Sequence, residues 1–219
     1  MSFKDAEGAI FAEWQQRHDK SFVRDGVVDE YTFRASSPKI VYVLKEVNDF
    51  DGGGWDLREL LLGKLASGIP GKTWNNVTRW TMGLRDLSKD IPWSVLQNIN
   101  EKQRKDTLKS VCVVNIKKTP GAGTADEKAV IQIAKQDEEL LRKQLDFYKP
   151  DLVICCGRRL TDVYYKVFGE NAVRQITSQS LPYWRSTNGL FVIVDHPQAR
   201  KSAKALYDAL IGSVQKITP

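Results

Sequence analysis

Four short apolar runs limit what this chain can become: IVYVL at 40–44, VCVV at 111–114, LVICC at 152–156 and LFVIV at 190–194. Each is rich in β-branched and aromatic residues and lacks the polar alternation of a half-buried strand. Each therefore reads as a strand covered on both faces. The segments between them carry helical periodicity, and strand–helix–strand repetition implies right-handed crossovers into a parallel sheet. The expectation is an α/β fold, a three-layer α/β/α arrangement around a central four-stranded parallel sheet. Parallel strands also gather the polar residues that follow them at one edge, where open α/β sheets bind ligands.

The remaining segments fit that plan. Residues 5–20 place Ile10, Phe11 and Trp14 at helical spacing, and 21–37 read as irregular. Asp56 suits the cap of a helix through Leu57 and Leu60 to Leu62, which Gly68-Ile69-Pro70-Gly71 would stop. A further helix passes through Trp74, Val77, Trp80, Met82 and Leu84, and 91–109 reads as an exposed helix. One long helix is expected over 126–147, another over 158–168, and the last over 200–214. No linker, repeat or low-complexity tract interrupts the chain, so one domain over 1–219 is expected, with 1–37 a helical N-terminal extension packed on it. Gly71-Lys72-Thr73 does not complete a phosphate-binding P-loop. The motif's first glycine falls at Ala66, and the preceding segment is helical where a strand is required.

Composition narrows the function classes. In 219 residues, 33 Lys and Arg against 27 Asp and Glu give a net charge of +6, a mild lean toward polyanionic partners. Cys155 and Cys156 are adjacent, Cys112 stands alone, and no Cys-x-x-Cys occurs. Neither a disulfide framework nor a zinc knuckle is indicated, and free thiols in a reducing compartment are expected. The sequence has no charged-then-apolar leader and no apolar run of membrane-spanning length, so a cytoplasmic protein without membrane contact is expected. A monomer without metal or organic cofactor completes this expectation.

The residues gathered at the carboxyl edge are Lys45, Glu46, Asn48 and Asp49, then Asn115 with the loop Lys117-Lys118-Thr119-Pro120-Gly121, then Gly157-Arg158-Arg159, and finally Asp195-His196-Pro197-Gln198. Their order resembles the strand-end signatures of the uracil-DNA glycosylase superfamily over roughly residues 38–214. In that family the first strand ends in a polar signature such as Gly-Glu-Ala-Pro-Gly, and the second in an asparagine followed by a basic, proline-containing loop. The third begins at Pro-Asp or Pro-Lys and ends in glycine, and the fourth ends in His-Pro-Ser. The resemblance implies excision of uracil or a related deaminated base from a flipped-out nucleotide of single- or double-stranded DNA. His196 matches the family's donor to the departing base, and Glu46 the polar residue that positions water. Asn115 matches the asparagine that reads the base edge, with Trp55 and Asn48 beside the base. Lys117, Lys118, Arg158, Arg200 and Lys201 would hold the flanking phosphates.

Several residues depart from the family pattern, and each site residue has a plainer use. Lys45 stands where a glycine is usual, Val47-Asn48-Asp49 replaces the usual continuation, and Gln198 replaces serine. Lys45 has the reach to fill the base pocket itself. Glu46 equally suits an ion pair with Lys45 or Lys117, Asn115 a cap on the loop after it, and Trp55, Trp74 and Trp80 suit packing. Arg158 and Arg159 open a helix, an arrangement that an anion bound there would explain. A catalytically inactive nucleic-acid or nucleotide binding protein is therefore carried as the alternative, with a different small-molecule hydrolase as a third. Asp195 and His196 do not read as two members of a hydrolase triad, because neighbouring strand residues face opposite ways.

Overall fold

A computed structural model describes residues 2–18, 21–49, 52–63, 71–121, 126–169 and 171–218. Its seven strands are β1 (Gly26–Val27), β2 (Ile40–Leu44), β3 (Val111–Asn115), β4 (Leu152–Cys156), β5 (Gln175–Ile176), β6 (Pro182–Ser186) and β7 (Gly189–Val194). They form one mixed sheet in the order β1-β3-β2-β4-β7-β6-β5. The four apolar runs are the neighbours β3-β2-β4-β7, all parallel, with β1 antiparallel at one edge and the β6–β5 pair antiparallel at the other. The expected four-stranded sheet is thus corrected to seven strands. The three additions escaped the sequence because two have only two residues each and the third, PYWRS, is only half buried.

The helices are α1 (Phe3–His18), α2 (Glu30–Ala35), α3 (Leu57–Leu62), α4 (Lys72–Arg85), α5 (Trp93–Leu96), α6 (Glu101–Lys109), α7 (Glu127–Gln136), α8 (Glu138–Tyr148), α9 (Thr161–Phe168) and α10 (Ala203–Ile217). They cover both faces of the sheet. Ile40, Tyr42 and Leu44 of β2 join a core with Trp80 of α4 and Leu210 of α10, while Val41 and Val43 face Trp14 of α1 and Leu141 of α8. This alternation explains why the runs carry no polar residue: each successive side chain meets a different apolar layer.

Three expected helices change for local reasons. The long helix over 126–147 divides at Asp137, whose buried carboxylate lies 2.6 Å from His18 Nε2 and 3.3 Å from Arg17. The exposed helix over 91–109 is interrupted at Asn100, which starts α6 with a capping box against Gln103. The last helix begins at 203, where the Ser202 side chain accepts from Ala205 N–H, and not at 200. Residues 21–37 are more ordered than expected, since β1 joins the sheet and Asp29 caps α2. The N-terminal extension is therefore not helical throughout. The proposed stop at 68–70 lies outside the described residues. No helix among them is long and apolar enough to cross a membrane.

Candidate nucleobase site at the carboxyl edge

The parallel register brings the ends of β3, β2, β4 and β7 side by side. Beyond the strands the alignment continues through Ile116 N–H to Leu44 O and Lys117 N–H to Lys45 O, each at 2.9 Å, and Gly157 N–H to Val194 O at 2.8 Å. Lys45, Lys117, Gly157 and the 195–198 turn therefore share one edge, as the sequence order required.

His196 is the best-defined polar group there. Its Nδ1 accepts the Gln198 N–H at 3.1 Å, so the neutral ring carries its proton on Nε2 and presents that N–H as a donor. Burial, reinforced by the Lys45 ammonium, lowers the ring's pKa from its usual 6.5 to about 4. The turn that carries it is held from α4. Asn76 Nδ2 donates to Pro197 O at 2.7 Å, and Lys72 Nζ donates to Ala199 O at 2.6 Å and Lys201 O at 3.1 Å.

Glu46 and Lys117 form an ion pair at 2.6 Å, with side chains only 6% and 14% exposed. Lys117 Nζ also donates to Thr119 O at 3.1 Å and Pro120 O at 2.8 Å, which uses all three ammonium protons. Lys118 turns the other way. Its side chain is wholly enclosed, 2.7 Å from Asp25 Oδ1, and its ammonium stands 4.6 Å from the centroid of Trp14. Lys117 and Lys118, expected to hold phosphates, are thus both engaged within the protein, the first by Glu46 and two loop carbonyls and the second by Asp25 in the interior. Arg158 and Arg200 are exposed, Arg158 donating to Ser180 O at 2.8 Å, and exposed Lys201 pairs with Asp195 at 2.7 Å.

Asn115 is buried at the end of β3, where Asp25 Oδ2 accepts its backbone N–H at 2.7 Å and its Nδ2 at 3.2 Å. Lys45 runs toward β4 and reaches Glu127 at 3.0 Å; Gly157 beside it holds φ 131°, which a side chain there would strain, and a Cβ at that position would stand 2.9 Å from Lys45 Cε and push the lysine's flexible end aside. Trp55 Nε1–H and Gly53 N–H both donate to Asp49 Oδ2, at 2.6 and 2.9 Å. With Asp49, Glu59 and Leu60, the residues Asn48 and Trp55 line an open cleft of about 600 Å³. His196, Glu46 and Asn115 are not on its wall, so the expected site residues divide between this cleft and the strand ends.

Residues not anticipated from sequence complete the edge. Asp25 orients Asn115, Asn76 and Lys72 fix the His196 turn, and Glu127 receives Lys45. Asp25 and Asn76 left a legible signal: Asp25 follows Arg24 between the apolar pairs of FVRDGVV, and Asn76 lies beside the apolar Trp74–Val77–Trp80 face. Among the described residues, no group of three or more His, Cys, Asp or Glu is arranged to hold a metal ion. Compared with known proteins, the chain matches no protein-family model and no curated protein.

Proposed function

We propose that the carboxyl edge captures a flipped nucleobase, and that the chain is a DNA-base N-glycosidase acting on uracil or a related deaminated base. Its fold would then be the three-layer, uracil-DNA glycosylase-like one that the strand-end signatures resemble. The observation that carries this reading is the neutral His196 with Nδ1 engaged and Nε2–H free to donate. Breaking an N-glycosidic bond places negative charge on a base oxygen and positive charge on the sugar. A fixed neutral donor aimed at that oxygen stabilises the charge as it develops. Glu46, held in place by Lys117, supplies an acceptor for the attacking water, and Asn115 reads the base edge. Arg158, Arg200 and Lys201 are the cations exposed for the flanking phosphates, so DNA is the proposed partner. The reaction drawn in this way calls for no cofactor. The three free, buried cysteines fit a cytoplasmic setting.

A second reading, base or nucleotide capture without cleavage, is favoured by one observation: Glu46 is ion-paired through Oε2 with Lys117 and its side chain is almost enclosed. Strand scission by alkali after incubation with end-labelled DNA containing uracil, hypoxanthine or xanthine separates the two. Cleavage of one substrate that is lost in both His196→Ala and Glu46→Ala supports the glycosidase. Binding without scission of any of them leaves the capture protein.

A further inference from the structure

The opposite edge of the sheet, where the parallel strands begin, carries a cleft of a different character. It encloses about 540 Å³ between the start of α1, the end of α2 and the end of α8. Lys39, just before β2, and Lys149, just after α8, both line it, with Arg34 as a third cation and Asp146 as the one acid among the described lining residues. Arg34 is already matched: it pairs with Glu30 at 2.8 Å, and its guanidinium lies 4.1 Å from the centroid of Phe3. Asp146 accepts Asn188 Nδ2 at 2.5 Å, and nearby Asp151 accepts the Lys39 backbone N–H at 2.7 Å. The ammonium groups of Lys39 and Lys149 have no hydrogen bond or ion pair in the protein. Two unmatched cations thus share a concave surface, and the partly exposed Ala6 and Phe147 give that surface an apolar wall.

We propose that this cleft is a second ligand site, which takes a small aromatic phosphate monoester with its phosphate between Lys39 and Lys149 and its ring against Phe147. A phosphate monoester carries a charge of about −1.5 to −2 at neutral pH and three strong acceptor oxygens, which suits two amines that hold no other acceptor. The ring stacks offset on the wall beside them. The cleft volume falls within the roughly 300–1,000 Å³ of small-molecule sites. A nucleic-acid strand is the poorer fit. Its neighbouring phosphates would run onto the carboxylates around the cleft, Asp146 and Glu30, whereas a monoester ends at one phosphate. The site lies across the sheet from His196 and Glu46, so it stands whether or not the carboxyl edge captures a base.

The test is a two-dimensional NMR titration of the full chain with phenyl phosphate at neutral pH, and separately with its two halves, inorganic phosphate and benzyl alcohol. Phenyl phosphate is expected to shift the backbone signals of 3–6, 39 and 147–149 and to bind more tightly than either half. The Lys39→Gln, Lys149→Asn double variant removes both charges, and asparagine tolerates the left-handed backbone of position 149, φ 44°. Its affinity is expected to fall about tenfold or more, the scale of one charge-assisted hydrogen bond. A folded double variant with unchanged affinity overturns the proposal, as do a wild-type cleft that phenyl phosphate leaves unshifted and equal binding of inorganic phosphate. Shifts there from a single-stranded oligonucleotide but not from phenyl phosphate overturn it in favour of a strand contact. If the double variant does not fold, acetylation of the wild-type lysines is followed by mass spectrometry. Phenyl phosphate is expected to slow modification of Lys39 and Lys149, and unchanged rates at both contradict the proposal.

Discussion

Burial fixes the proton state of His196 before any ligand arrives. The folded ring titrates near 4 against the usual 6.5, so the folded state holds fewer protons than the unfolded chain between those values. Stability from this group is therefore lost as pH falls from about 6.5 to about 4, and the Nε2–H donor stays in its neutral form through that window. An NMR titration of the ring is expected to show a midpoint near 4, with the only other histidine, His18, distinguished by His18→Gln. A midpoint near 6.5 would contradict the burial account. Two neighbouring lysines show where sequence reading fails at this scale. Lys117 and Lys118 look equivalent in a basic loop, yet one closes on Glu46 and the other enters the core to meet Asp25. Alternation along an extended chain separates them, but the partner awaiting Lys118, an aspartate 93 positions earlier, has no local signature. Lys118→Met leaves Asp25 buried without its counter-charge, and urea unfolding is expected to show a loss of about 3–5 kcal/mol. Adding Asp25→Asn is expected to recover part of that loss.

Among the elements, legibility follows burial on two faces. The four parallel strands were readable because both sides of each are apolar, and with them the edge on which the candidate site lies. Strands β1, β5 and β6 owe their place to neighbours, and the break between α7 and α8 comes from Asp137 turning to Arg17 and His18. Such contacts are distant in sequence and leave no periodic trace. The 117–121 loop shows how tightly elements meet at the site. A Cβ built on Gly121 falls 2.0 Å from Glu46 Oε1, so Gly121→Ala must expel the carboxylate from its seat beside Lys117. A destabilisation of about 1–3 kcal/mol is expected from this overpacking, together with loss of whatever activity depends on Glu46. Gly71→Ala, with nothing within 4 Å among the described residues, is the matched control and is expected to change stability by less than about 1 kcal/mol. Equal effects of the two substitutions, measured by thermal melting, would contradict the packing described at Glu46.

For the molecule as a whole, the sheet builds the candidate site by aligning four chain segments that are far apart in sequence. A donor from β7, a carboxylate from β2 and an amide from β3 come to one edge, while exposed cations flank it. The excess of six positive charges is a mild lean toward polyanions, and under the proposed function the edge decides which base is held. The most direct test is a two-dimensional NMR titration of labelled protein with a single-stranded oligonucleotide carrying one uncleavable 2′-fluoro-2′-deoxyuridine. Perturbations centred on the His196 ring, the Asn115 side-chain amide and the backbone of 45–49 and 195–198 are expected. Perturbations confined elsewhere, for instance to the cleft between α1 and the end of α8 lined by Phe3, Arg34, Lys39 and Tyr148, would contradict the placement of the site at the carboxyl edge.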